Sequence, residues 1–178
     1  ITTDITIELD VEGNASITTS DIDNGSNDAC GIASFSLNQY DFDCSHVGTN
    51  TVTLTVTDVN GNVSSNTAVV TVEDNIAAEV ITTDITIELD VEGNASITTS
   101  DIDNGSNDAC GIASLALDIT SFDCSNVGQN TVTLTVTDVN NNVSTETAVV
   151  TVEDNVAPIA IAQPLTVLLD VNGNGSIT

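Results

Sequence analysis

Between positions 131 and 137 every second residue is Thr, and the positions between are Val132, Leu134 and Val136. A period of two places the aliphatic side chains on one face of a strand and the hydroxyls on the other. Ala148, Val150 and Val152 carry the alternation back in a return strand, with VNNN at 139–142 between the two runs. The same turn reads VNGN at 59–62, and both Asn-Gly and Asn-Asn tolerate the positive φ that a tight hairpin demands. Upstream, Ile85, Ile87 and Leu89 alternate with Thr86 and Glu88, a DVEGN turn follows at 90–94, and Ala95–Thr99 resumes a short strand. The polar run DIDNGSND (101–108) reads as a loop, and Ile112, Leu115 and Leu117 read as a less regular strand. Residues 118–130 are turn-rich, with one extended piece around Phe122 and Cys124. No helical periodicity is visible. Six or seven short strands separated by turns within about 80 residues predict an all-β chain of immunoglobulin-like sandwiches.

The pattern occurs more than once. Residues 1–34 recur letter for letter at 81–114, and the rest of the unit recurs with scattered changes. A third copy starts at Ile161, where LLDVNGNGSIT echoes IELDVEGNASIT. A period this long makes each copy a domain, larger than a solenoid repeat. The expected division is 1–76, 77–156 and an incomplete third copy at 157–178, in a linear array. A first strand at LTVLL (165–169), its DVNGN turn (170–174) and the beginning of a second strand are expected here; they bury little by themselves, so 161–178 is expected to need the rest of a third domain. The chain begins at Ile rather than Met and reads as a segment of something longer. Serial copies lengthen rods and adhesins, whereas enzymes seldom need near-identical domains in series.

Charge narrows the options. There is no Lys or Arg against 27 Asp plus Glu, a net charge of −27. Such a chain repels nucleic acid phosphates and anionic headgroups, and no apolar run approaches a membrane span. Disorder is the other common meaning of high charge, but 40% of the residues are hydrophobic and lie in alternating runs. Uncompensated carboxylates oppose compaction unless a cation binds among them or salt screens them. No Ser/His/Asp or Cys/His set repeats: the lone His46 is Asn126 in copy two, and no Lys exists for Schiff-base chemistry. An enzyme is therefore not expected. Carbohydrate or ice binding is the alternative reading, with the Thr face of Thr51, Thr53, Thr55 and Thr57 as its surface. Sugar sites usually present aromatic platforms, and with three Phe, one Tyr and no Trp the chain has few to offer.

Two cysteines fall in each copy at equal spacing, Cys30/Cys44 and Cys110/Cys124. An even count locked to the repeat predicts one disulfide inside each domain and an oxidising, extracellular location. A zinc site would require further ligands that copy two does not repeat.

The runs DACGIAS, NTVTLTVTDVNGN and VEDNVAP, with the paired Cys, resemble the hyalin repeat. They are similar to tandem modules of giant secreted surface proteins of flavobacterium-type bacteria, including gliding-motility adhesins. The resemblance implies an extracellular, cell-surface adhesive or spacer module without catalysis. Its partners would be further copies of the same repeat in one long chain or filament, with surface polysaccharide as an additional candidate.

Hard cations take six to eight oxygen ligands from compact loops, and acids cluster on short turns here. The candidates are Asp10, Glu12 and Asn14, repeated as Asp90, Glu92 and Asn94; Asp21, Asp23, Asn24 and Asp28; and Asp58, Asn60 and Asn62. The linkers add Glu73, Asp74 and Asn75, repeated as Glu153, Asp154 and Asn155. None has the EF-hand spacing, and Asp, Asn and Gly are also what turns require. In an Ig-like sandwich, however, Asp101, Asp103, Asp108 and Asp138 would face Glu73, Asp74 and Asn75 across the domain junction. The linker also resembles the acidic junction of cadherins, where calcium stiffens the joint. Calcium at the junction is thus the expected cofactor.

Overall fold

The computed structural model describes residues 2–177. Each full copy of the sequence folds around its own core. In the first, β1 (Ile5–Glu8), β6 (Val63–Glu73), β5 (Gly48–Asp58) and β3 (Ile32–Leu37) form a four-stranded sheet in that order. A smaller sheet pairs β2 (Asn14–Ser16) with β4 (Asp41–Asp43). The second copy repeats this with β7 (Ile85–Glu88), β12 (Val143–Glu153), β11 (Gly128–Asp138) and β9 (Ile112–Leu117), and with β8 (Asn94–Ser96) paired to β10 (Ser121–Asp123). The long hairpins run antiparallel, while the first strand of each copy lies parallel to the last, Ile5 beside Val70 and Ile85 beside Val150.

The alternation seen in sequence becomes the core. Val132, Leu134 and Val136 on β11 and Val150 and Val152 on β12 are fully buried, with Phe122 from the small sheet closing over them. Val52, Leu54, Val70, Val72 and Phe42 do the same in the first copy. Each hairpin turns through a residue of positive φ, Gly61 (87°) or Asn141 (73°). Asn is among the few side-chain-bearing residues that enter this region readily, which is why NNN can replace NGN.

Three expectations are corrected. The run after Ser96 is a one-turn helix rather than strand: α1 (Thr19–Ile22) and its repeat α2 (Thr99–Ile102). Thr98 donates from its backbone N–H and its hydroxyl to Asp101 Oδ2, both at 2.7 Å, which fixes the first turn. Four residues are too few to show a helical period. The run 165–169 forms no strand; only the Asp170–Asn174 turn of the third copy is made, and the surrounding residues are exposed.

The third correction concerns the cysteines. The disulfide joins Cys44 to Cys110, across the two copies, with a Cα–Cα distance of 5.1 Å. Cys30 and Cys124 are free and exposed. Strand β5 begins four residues after Cys44 and ends at Asp58, which pairs with Ile32, two residues past Cys30. Eleven extended residues span roughly 35 Å, so Cys30 and Cys44 sit at opposite ends of one sandwich. A disulfide needs Cα atoms within about 7 Å, and the matching distance is found only between copies.

Candidate functional site

The trailing end of the first copy and the leading end of the second meet at a compact joint. Residues 78–83, which open the second copy, lie along its own 102–107 segment: Glu79 and Asn107 exchange backbone hydrogen bonds at 2.8 and 3.0 Å, and Thr83 N–H donates to the Ile102 carbonyl as Thr3 N–H does to that of Ile22 in the first copy. The Ser144 hydroxyl donates to the Ala78 carbonyl at 2.6 Å, and Ala78 is buried in the second core. The Asn142 amide is the central pin. Its Nδ2 donates to the carbonyls of Asp74 (3.0 Å) and Ile76 (3.2 Å) and to Asp138 Oδ2 (2.8 Å).

Asp138 occupies the next inward position after Val132, Leu134 and Val136, so strand period buries it at 1% exposure. Its Oδ1 also accepts from the backbone N–H groups of Asn140 and Asn142, both at 2.8 Å. On the facing side Gly13 has φ 76°, and a Cβ there would stand 2.7 Å from Cys44 Sγ and 3.2 Å from Ala109 Cβ. Only glycine lets the second copy approach this closely.

Two polar atoms of the joint lack partners. Asp74 is 8% exposed; its Oδ1 accepts from Ile76 N–H, but its Oδ2 is buried with no hydrogen bond, and Asn140 Oδ1 is buried likewise. Asp74, Asp108 and Cys110 place one potential ligand atom each within 4.8 Å of one another. Cys110 Sγ is engaged in the disulfide, which leaves two carboxylates. With no basic residue in the sequence except His46, a buried carboxylate oxygen without a donor fits a hard cation better than an empty cavity.

Most of the other candidate ligands shape turns. Asp10 Oδ1 accepts from the N–H groups of Glu12 and Asn14, and Asp90 does the same for Glu92 and Asn94. Asp21 and Asp101 hold the starts of the one-turn helices. The Thr98 N–H, and then its hydroxyl, keep the Asp101 carboxyl below its ordinary value. Asp23 and Asp103 accept from Ser26 and Ser106, and the side chain and N–H of Ser106 outweigh partial desolvation to hold Asp103 low as well. Asp28 accepts from the N–H groups of Cys30 and Gly31, as Asp108 does from those of Cys110 and Gly111. Asp58 is wrapped by the Asn60 and Asn62 N–H groups and the Asn62 amide. Glu73 shares the Asn75 amide with Glu8, and Glu153 shares the Asn155 amide with Glu88. Asp154 repeats the Asp74 turn by accepting from Val156 N–H, but in the open. Of the seven residues expected at the joint, the fold gathers Asp74, Asp108 and Asp138. Glu73 and Asn75 point to Glu8, while Asp101 and Asp103 bond locally.

Asp43, Ser45 and His46 come together, but not as a catalytic triad. Ser45 Oγ and His46 Nδ1 converge on one oxygen, Asp43 Oδ1, at 2.6 and 2.8 Å. Asn126 replaces the histidine beside Asp123 and Ser125 in the second copy. The trio caps a short 3₁₀ turn at Cys44–His46.

No protein-family model and no curated protein matches the sequence. Among solved structures, the protocadherin GammaB4 extracellular domain is similar at 11% identity over 86% of this chain and 31% of that one, with a TM-score of 0.40. The Clostridium thermocellum CbhA fibronectin(III)-like modules give 8%, 92%, 96% and 0.32 in the same order. An endo-fucoidan hydrolase of glycoside hydrolase family 107 gives 16%, 70%, 23% and 0.28. The chain thus spans about a quarter to a third of the hydrolase and the protocadherin it matches. No helix among the described residues is long and apolar enough to cross a membrane.

Proposed function

We propose that this chain is a spacer or adhesive segment of an extracellular bacterial surface array, divided as 1–76, 77–156 and the start of a third domain, with calcium stiffening its joints. The observation that carries this reading is the joint itself: the buried Asp74 carboxylate, with an unpartnered Oδ2, lies beside Asp108 and next to a disulfide that ties consecutive copies. A disulfide between folded neighbours restricts their relative angle, which is what a rod requires, and it also removes entropy from the unfolded chain. Asp74 and Asp108 would hold the cation, with Asn140 Oδ1 from the docked hairpin tip as a further oxygen. A divalent ion there would neutralise carboxylates that no Lys or Arg can reach. The one histidine, His46, is Asn126 in the second copy, so no Ser/His/Asp or Cys/His set repeats, which speaks for a structural role over catalysis.

Thermal melting in calcium and in EDTA tests the proposal. Calcium should raise the melting temperature, and Asp74→Asn should remove most of that rise while leaving the melt in EDTA nearly unchanged. Identical melting of the wild-type chain with and without calcium would refute the cation's role.

A further inference from the structure

The two free cysteines occupy the same places as the two bonded ones. Cys124 is the counterpart of Cys44: its Sγ lies 3.8 Å from the Gly93 carbonyl, where Cys44 Sγ lies 3.9 Å from that of Gly13. A Cβ on Gly93 would stand 2.7 Å from Cys124 Sγ, the same clearance as at Gly13. Cys30 is the counterpart of Cys110, and Asp28 holds its backbone N–H at 2.8 Å as Asp108 holds that of Cys110. The Cys124 thiol is therefore already in the pose that the disulfide uses, and the backbone of Cys30 is held as that of Cys110 is.

The surfaces around them match as well. A hollow at the trailing end of the second copy is lined by Val91, Gly93, Cys124, Asp154 and Val156. In the first copy the equivalents of Gly93, Cys124 and Asp154 are Gly13, Cys44 and Asp74, which the next copy's Ala109 and Cys110 meet. At the opposite end of the molecule, a hollow lined by Asn27, Asp28, Asp58, Asn62 and Ser64 repeats the surface of Asn107, Asp108, Asp138, Asn142 and Ser144 that receives the linker. One end presents a socket and the other presents what fills it.

We propose that Cys124 and Cys30 are two halves of the same staple, each pairing with the complementary cysteine of an adjoining repeat of this kind. Every joint of an array would then be closed covalently, its two cysteines 66 positions apart in the chain. Each closure takes two thiols to one disulfide and passes two protons and two electrons to a disulfide oxidant. With glutathione disulfide as that oxidant, two glutathione thiols are released. The inference rests on reading the chain as part of an array, but neither calcium nor adhesion enters its test.

The test completes the third copy by adding residues 19–76 after Thr178 and counts alkylatable thiols after refolding in a glutathione redox buffer. The extended chain holds six cysteines, the four of the sequence plus two added. Cys44–Cys110 and a staple from Cys124 to the first added cysteine leave two free thiols. Cys124→Ser should raise the count to three. Four free thiols in the extended chain would overturn the proposal, because Cys124 would then have taken no partner. A count of one in the Cys124→Ser chain would also overturn it, because the added cysteines would then be paired with each other.

Discussion

The hairpin tips at Asp58 and Asp138 share nearly the same sequence and the same internal hydrogen bonds, yet their environments differ. Asp138 is sealed against the linker with the Asn142 amide reaching two backbone carbonyls of the preceding copy, whereas Asp58 keeps its bonds near solvent. The trailing ends differ likewise: Asp74 is buried and Asp154 exposed, and Cys44 is bonded and Cys124 free. Since the local sequences match, docking alone accounts for the difference. Turn residues that fold a single copy unaided acquire a second use when another copy arrives, and substitution at paired positions can separate the two.

The largest contrast is expected at the cysteines. Closing a loop whose ends lie 66 positions apart removes chain entropy worth about 4 kcal/mol against the fully unfolded chain. Cys44→Ser should therefore lower the denaturant midpoint markedly and loosen the inter-domain angle seen in solution scattering. Cys124→Ser, at the open end of the 178-residue chain, should stay within about 0.5 kcal/mol of wild type. Equal effects would break the comparison.

Asp138→Ala should come next. It strands the Asn140 and Asn142 N–H groups in a buried joint, at a cost of about 1–3 kcal/mol. Asp58→Ala exposes the equivalent groups to water and should cost clearly less; urea melts of the two variants decide it.

A smaller contrast is expected at the turn glycines. Gly13→Ala and Gly93→Ala both force a Cβ into the left-handed region, about 1–2 kcal/mol each, and both crowd a cysteine sulfur. Only Gly13→Ala also meets Ala109 of the next copy. It should be the more destabilising by melting temperature, and its excess should vanish in a Cys44→Ser background, where the joint can open.

Much of the fold was legible in the sequence because strand period two is a strong signal wherever one face is buried. Val132, Leu134, Val136 and the NNN turn at 140–142 could be placed from letters alone. The one-turn helices were not, although Thr98 and Asp101 at capping-box spacing marked α2. The site was half legible. Asp74, Asp108 and Asp138 are among the residues expected at the joint, but Asn142, which pins it, reads in sequence only as a turn residue. Its equivalent Asn62 makes the same turn bonds, so nothing local distinguishes the docked copy. The disulfide pairing is not legible in the sequence for a related reason. Equal spacing within each repeat is equally compatible with pairing inside a copy and with pairing each copy to the next, and only the length of β5 excludes the first.

The central claim is that consecutive copies are stapled, and disulfide mapping of the oxidised 178-residue chain tests it most directly. Trypsin has no site in a chain without Lys or Arg, so the digestion must use proteases that cut at Asp and Glu, under non-reducing conditions with free thiols blocked. The account predicts a Cys44–Cys110 linked pair, with Cys30 and Cys124 recovered as alkylated thiols. Recovery of Cys30–Cys44 and Cys110–Cys124 pairs would contradict it.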